Sequence, residues 1–307
     1  MKRAPHPSDS LLDLIGGTPL VPLHFAEEGL TVLGKAEFLN PSGSVKDRLA
    51  KAVILAGEAS GELRSGSVIV ECTSGNTGIS LAMVGAARGY RVRTVMSTTA
   101  SGERRSLLRR LGAELVLFEG GASYQAGIEL TREMAAADSR VYLPRQFENR
   151  LNAEEHEEGT GQEIIRQSGG ELHAFVSGYG TGGTLAGVGR ALKARWPGLR
   201  VVAMEPSGEL MPGELPCCHR IEGVAQDYEP PILGMAPIDQ RVRVAGGQAM
   251  AMARRMHREF GLLVGTSSGA NVVAALEVAR EMGPGARVVT ILCDRADRYF
   301  STALFGD

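Results

Sequence analysis

Short β-branched runs separated by helix-length amphipathic stretches constrain this chain more than any other feature. From Val32 onward "SVIVE", "RVRTVM", "ELVLF", "HAFVS", "RVVAME" and "RVVTILC" recur, with stretches such as "SVKDRLAKAVILAGEA" between them. In that stretch Val45, Leu49, Val53 and Ile54 fall at roughly helical spacing. Parallel strands need long crossover connections, usually helices, so the alternation predicts an α/β protein. Two further helices are bounded by their own punctuation: "GISLAMVGAARG" stops at Gly89, and "TLAGVGRALKARW" is cut off by Pro197. At 307 residues the chain can bury one large core or two smaller ones, and two lobes are expected.

Charge narrows the partners. The 33 basic and 35 acidic side chains, net -2, make no broad field for nucleic acid or an anionic membrane, so small-molecule chemistry is favoured. No apolar run is long enough to span a bilayer, and "MKRAPHPSDS" lacks the apolar core of a secretory signal, so a cytoplasmic protein is expected. Cys72, Cys217, Cys218 and Cys293 form no CxxC pair and are expected to be reduced.

Two strand ends run through glycine-rich turns directly into helices: "VIVECTSGNTGISLA" and "FVSGYGTGGTLAG". Such a turn lets several backbone N–H groups converge on one anion in front of the positive end of a helix dipole, and Thr181 and Thr184 add hydroxyl donors. Gly178, Gly180 and Gly183 also spell GxGxxG, with Glu205 ending the next strand, so NAD binding is an alternative. That alternative leaves "SGSVKDR", "TSGNTG" and "GTSSGAN" unexplained.

Together, "LIGGTPLVPL", "NPSGSVKDR", "TSGNTG", "GTGGT" and "GTSSGA", with Gln146 in "RQFEN" and the following "HEEGTGQEI", resemble the cysteine synthases of the fold-type II pyridoxal-phosphate enzymes over nearly the whole chain. "SGERRSLLRRLGAEL" and "CDRADRYFST" resemble the B-type branch. The resemblance implies a two-lobed, tryptophan synthase β-like fold, each lobe a mostly parallel sheet flanked by helices. Residues 1–40 and 146–307 would form the large cofactor-binding domain, and 41–145 a small movable domain carrying a substrate-carboxylate loop. A homodimer is implied too, and a contact with serine acetyltransferase is a further partner of the family.

On that resemblance Lys46 joins the cofactor aldehyde and later serves as general base at the substrate Cα. Gly180, Thr181, Gly182, Gly183 and Thr184 hold the phosphate, and Asn76 bonds the ring's phenolic oxygen. Ser267, with Ser268 as its rival, faces the pyridine nitrogen, where a hydroxyl makes the ring a weaker electron sink than a carboxylate would. Thr73, Ser74, Gly75, Thr77 and Gln146 grip the substrate carboxylate. The implied reaction is β-replacement: O-acetyl-L-serine loses acetate to give an aminoacrylate, and sulfide adds to form L-cysteine. No metal is assigned.

Alternatives remain open at this point. "EPSGELMPGELPCCHRIEGVAQDYEPPIL", at the entrance, departs from the family pattern and offers only Arg220 for a bulkier anion, so thiosulfate or O-phosphoserine use is undecided. Cystathionine synthesis from serine and homocysteine is a second β-replacement. A serine/threonine dehydratase, the NAD enzyme and a non-catalytic fold relative rank lower, because "SVKDR" and "GTGGT" are the synthase forms and neither Lys46 nor the carboxylate loop is lost. Arg104, Arg105, Arg109 and Arg110 read as a solvated helix face. His156 with Glu157 and Glu158, and His219 beside Cys217 and Cys218, lack metal-ligand spacing. Cys293 reads equally as a core residue or a cofactor neighbour.

Overall fold

In the computed structural model, which describes residues 9–119, 124–207, 221–224 and 229–306, every β-branched run named above becomes a strand. The strands of the described residues are β1 (Leu20–Phe25), β2 (Leu30–Lys35), β3 (Val68–Cys72), β4 (Arg91–Ser97), β5 (Glu114–Phe118), β6 (Val141–Tyr142), β7 (Ala174–Gly178), β8 (Arg200–Pro206), β9 (Gln240–Val244) and β10 (Val288–Ile291). They form two sheets, ordered β1-β2-β10-β7-β8-β9 and β5-β4-β3-β6. All neighbours are parallel except the β1–β2 hairpin.

Burial follows position in the sheet. Central β3 and β10 are buried at every residue, the continuous apolar pattern of parallel strands covered on both faces, whereas edge strand β9 alternates. Successive side chains of a strand point to opposite faces. Val176, Val202 and Val288 therefore pack under the helices Gly246–Phe260 and Thr266–Met282, while Phe175, Val201 and Val289 pack under Gly183–Arg195. In the smaller sheet Ile69, Val92 and Met96 face the helices Lys46–Ser60 and Asn76–Arg88; Val68, Val70 and Val95 face Tyr124–Ala137.

The helix ends obey the punctuation in the sequence. Gly89 closes Asn76–Arg88 in the left-handed region at φ 78°, where a glycine carries no Cβ penalty. Trp196 is extended ahead of Pro197, whose ring disfavours a helical residue before it, so Gly183–Arg195 ends there.

The segment "NPSGS" is sewn onto the chain that leaves β10. Val45 N–H donates to the Cys293 carbonyl at 2.9 Å, and Arg295 N–H to the Gly43 carbonyl at 3.1 Å. The Arg298 guanidinium donates to the Gly43 carbonyl at 2.6 Å and also to that of Ser42. Gly43 sits at φ 90°, and a Cβ there would run into the Arg295 side chain. The turn thus delivers Lys46, the first residue of its helix, to the C-terminal edge of β10.

Asp47 and Arg48 lock that helix in place. The Asp47 carboxylate accepts from Ser42 N at 2.7 Å and from the Ser42 and Ser80 hydroxyls, the latter at 2.5 Å. Burial pushes its pKa up against those hydrogen bonds. The Arg48 guanidinium, 2% exposed, spans Glu37 and Glu163, and Lys35 adds a second cation on Glu163 at 2.6 Å. Two cations and two carboxylates balance, as a buried cluster requires.

Candidate active site

The C-terminal ends of β3, β7 and β10 open into one cavity. In open parallel sheets the crevice beyond the strand ends is where ligands bind. Lining it are Lys46, Thr73, Ser74, Asn76, Thr77, Gln146, Gly180, Thr181, Gly182, Thr184 and Ser267. These residues, far apart in the chain, are the ones named from the sequence. Gly75 and Gly183 do not line the cavity; Gly75 is the N-cap of Asn76–Arg88, and Gly183 opens Gly183–Arg195.

Lys46 is half-buried, and among the described residues its Nζ has no hydrogen-bond or ion-pair partner. Burial pushes its pKa below that of an ordinary lysine, with the nearby Cys293 opposing the shift. Desolvation disfavours the ammonium form, so the amine is readied as a nucleophile.

Four helices begin at the cavity wall, those starting at Lys46, Asn76, Gly183 and Thr266, and none has a side-chain N-cap hydrogen bond. Their first-turn N–H groups are thus not capped by the preceding residue, the arrangement that suits an anion. Glycine is required in the turn after β7. Gly182 lies at φ 88°, and a Cβ there would come within 2.9 Å of Leu233 N. At Gly180 a Cβ would stand 2.5 Å from the Gly223 carbonyl oxygen.

The two threonine hydroxyls of this turn have protein partners. Thr181 Oγ1 accepts from Asn152 Nδ2 at 2.9 Å, which leaves its own proton free to donate. Thr184 Oγ1 lies 3.2 Å from His156 Nε2. Burial, with Arg48 and Lys46 adding to it, pushes the His156 pKa well down, so the imidazole is neutral.

Thr77 and Gln146 are coupled. The Thr77 hydroxyl donates to Gln146 Oε1 at 2.6 Å, and Gln146 Nε2 donates to the Cys72 carbonyl at 2.6 Å. Thr73 Oγ1 accepts from Gly75 N–H at 3.0 Å, shaping the turn from within. Asn76 Nδ2 donates to Asp294 Oδ2 at 2.7 Å, and its Oδ1 is a buried acceptor with no partner among the described residues.

The two serines of "GTSSGA" separate cleanly. Ser267 lines the cavity, whereas Ser268 is fully buried and its Oγ accepts from Cys293 N–H at 2.8 Å. Neither is the N-cap, which is Gly265. Cys293 also lines the cavity, with its thiol pushed up to about 12 by burial and by Asp294.

Several lining residues carry no clear signal in the sequence. Tyr124 packs against Phe147 with the ring centroids 5.1 Å apart and the planes tilted by 54°, and faces Ser74. Asn271 does end "GTSSGAN". Its Oδ1 accepts from Gly178 N–H at 2.7 Å and its Nδ2 donates to the Ile291 carbonyl at 2.9 Å, tying β7 to β10 at the cavity rim.

Two readings from the sequence need correction. Arg104 does not share a solvated face: it is 4% exposed, lies 4.8 Å over the Tyr299 ring and pairs with Glu222. Glu205 is not an open ribose acceptor, since Tyr179 donates to it at 2.9 Å and Arg241 pairs with it. Cys217, Cys218, His219 and Arg220 lie outside the described residues.

A lone lysine amine facing glycine turns at the ends of parallel strands defines an α/β enzyme built to hold an aldehyde-bearing, anionic cofactor. The family profile described as "Pyridoxal-phosphate dependent enzyme" matches residues 11–294, and the chain belongs to that family. A "Cysteine synthase" of Staphylococcus aureus is 42% identical over 99% of both chains. Among solved structures, O-ureido-L-serine synthase is 44% identical with a TM-score of 0.88, over 96% of this chain and 94% of that one. The O-acetylserine dependent cystathionine beta-synthase of Helicobacter pylori is 36% identical with a TM-score of 0.90, over 96% of this chain and 98% of that one. The architecture is that of the fold-type II members. No described helix is long and apolar enough to cross a membrane.

The residues present fit pyridoxal phosphate. The Lys46 amine answers the aldehyde, the Gly180–Thr184 turn with its uncapped helix answers the phosphate, and the unpaired Asn76 Oδ1 answers a ring hydroxyl.

Proposed function

We propose that this chain is a cysteine synthase that makes L-cysteine from O-acetyl-L-serine and sulfide by β-replacement. The observation that carries the reading is the Lys46 amine, without a partner among the described residues and set in one cavity with the Thr73–Thr77 loop and the Gly180–Thr184 turn. Similarity to the cysteine synthase of Staphylococcus aureus over 99% of the chain supports it.

Bound pyridoxal phosphate supplies an electron sink for the charge that develops at the substrate Cα. Lys46 Nζ would hold the cofactor in the resting enzyme and, once free, would take the Cα proton of the substrate and return it after the sulfur has added. Its lowered pKa suits both tasks, since a neutral amine is needed for each. Backbone N–H groups of Gly180–Thr184 hold the phosphate with the helix dipole behind them. Ser267 would face the pyridine nitrogen and Asn76 would meet the ring hydroxyl. Thr73, Ser74 and Thr77 would bind the substrate carboxylate, Thr77 through its backbone N–H because its hydroxyl proton goes to Gln146 at 2.6 Å, while Gly75 shapes the loop.

Residues 41–145 form the smaller domain, which closes over the cofactor and excludes water, and 1–40 with 146–307 form the larger one. The protein works as a cytoplasmic homodimer. Serine acetyltransferase, the enzyme class that supplies O-acetyl-L-serine, is a candidate partner.

A spectral titration tests the reading. Purified protein loaded with pyridoxal phosphate should show a visible band that shifts with O-acetyl-L-serine and recovers when sulfide is added with formation of L-cysteine. No band at all would overturn the cofactor assignment. Recovery with homocysteine and L-serine in preference to sulfide would move the assignment to cystathionine synthesis, and thiosulfate or O-phosphoserine can be ranked in the same cuvette.

A further inference from the structure

Arg104 lies in an arginine-rich helix, Gly102–Arg110, yet it points inward, and three contacts place it behind the carboxylate loop. Its guanidinium lies 4.8 Å over the Tyr299 ring and pairs with the Glu222 carboxylate. Its aliphatic stem fills the space beside Gly75, where a Cβ would collide with Arg104 Cδ. Gly75 stands at φ 148°, so the loop is shaped to admit this one side chain. The Tyr299 hydroxyl in turn donates to Asp294 Oδ2 at 2.8 Å, the oxygen that also accepts from Asn76 Nδ2 at 2.7 Å.

These contacts cross between the two halves of the molecule. Gly75, Asn76 and Arg104 belong to the part built on β3–β6; Glu222, Asp294 and Tyr299 belong to the part built on the six-stranded sheet. The same helix is held to the six-stranded part by Glu103, which accepts from Ser301 N at 2.7 Å and Ser301 Oγ at 2.8 Å. Glu222 itself lines the cavity. A buried guanidinium needs a counter-charge, and Glu222 supplies it from the part built on the six-stranded sheet.

We infer that Arg104 is a positioning residue for the amino-acid substrate: its ion pair with Glu222 clamps the Thr73–Thr77 loop in the carboxylate-binding arrangement. The clamp rests on the reading above that this loop binds the substrate carboxylate. It acts through Gly75 and the Tyr299–Asp294–Asn76 hydrogen bonds, without contact between Arg104 and substrate. Loss of the pair frees the loop and leaves Lys46 and the Gly180–Thr184 turn untouched.

The experiment compares the cofactor-loaded wild type with Glu222→Gln, Arg104→Met, Arg104→Lys and the Glu222→Gln/Arg104→Met double variant. Two measurements are made: amide hydrogen exchange over residues 73–78 without substrate, and the O-acetyl-L-serine dissociation constant from the visible spectrum. Glu222→Gln and Arg104→Met should each speed exchange and weaken amino-acid binding about tenfold, with cofactor occupancy unchanged. Arg104→Lys should recover part of the loss, and the double variant should be no worse than the worse single one. Unchanged exchange, losses that multiply, or tighter binding in Glu222→Gln would overturn the clamp. Glu222→Gln decides alone should Arg104→Met fail to fold. If the wild-type spectrum ignores O-acetyl-L-serine, the functional reading fails, and the exchange data still decide whether the pair holds the loop.

Discussion

Arg48 and Glu37 meet through two parallel hydrogen bonds, Nε to Oε2 and Nη2 to Oε1, each 2.8 Å long, with both side chains buried. The guanidinium's remaining donors reach Glu163, Nη1 to Oε1 and Nη2 to Oε2, also at 2.8 Å. Such fork-to-fork geometry fixes direction as well as distance. Because Arg48 lies two residues beyond Lys46, the cluster sets the axis of the helix whose first residue presents the amine to the cavity.

Replacing Arg48 with methionine should therefore be among the costliest single changes outside the cavity. It would leave Lys35 as the one cation paired with this cluster among the described residues, and breaking one side of a buried ion cluster costs about 3–5 kcal/mol. The expected readout is a lower urea midpoint at unchanged slope. Lysine at this position should rescue little, since it cannot serve two carboxylates bidentately.

The same cluster sets an acid limit. Burial alone would raise the Glu163 carboxyl, but hydrogen bonds and charge from Arg48, with Lys35 and Gly17 N–H, hold it down to about 2. A depressed carboxylate contributes stability above its unfolded value of 4.5, and that contribution is lost as pH falls from 4.5 towards 2. Linkage puts the loss at up to about 3 kcal/mol. Stability measured from pH 6 to pH 3 should fall less steeply in Glu163→Gln, which starts from a lower plateau.

What the sequence disclosed depended on how local the cause is. The turn residues Gly43, Gly180 and Gly182 were legible because only glycine fits those backbones or close approaches, and the strand alternation because parallel sheets demand it. Arg104 was not legible. Its burial is decided by Glu222, Tyr299 and Gly75, partners that no periodicity in Gly102–Arg110 encodes. Tyr124 escaped notice for a related reason, since its place at the cavity depends on Phe147 and the Ser74 loop. The two-residue β6 is too short to show any period, and β9 is not among the runs read from the sequence although its residues alternate in burial.

Lys46→Ala should abolish turnover while leaving the fold intact, as the side chain has no protein hydrogen-bond partner among the described residues to lose. Far-ultraviolet circular dichroism and the urea midpoint should match the wild type, and the visible band of the covalently held cofactor should be absent. Retained wild-type turnover would remove Lys46 from the mechanism. In the cofactor-free wild-type protein, capture of pyridoxal phosphate depends on the neutral amine. Because burial lowers the Lys46 pKa, the capture rate should level off at a pH below the ordinary lysine value of 10.5. A rate still rising through that value would contradict the placement of the amine.

Adjacent serines allow the sharpest contrast. Fully buried Ser268 accepts from Cys293 N–H at 2.8 Å through its Oγ, so Ser268→Ala leaves a largely buried donor unpaired and should cost about 1–3 kcal/mol of stability. Its cofactor spectrum should change little, because the lost hydroxyl does not line the cavity. Ser267→Ala should do the opposite. Ser267 lines the cavity, so its loss should shift the visible band and lower the rate of β-replacement while moving the urea midpoint by less than Ser268→Ala does. The two variants, assayed side by side for absorbance, turnover and denaturation, assign the roles: a spectral shift in Ser268→Ala with none in Ser267→Ala would exchange them.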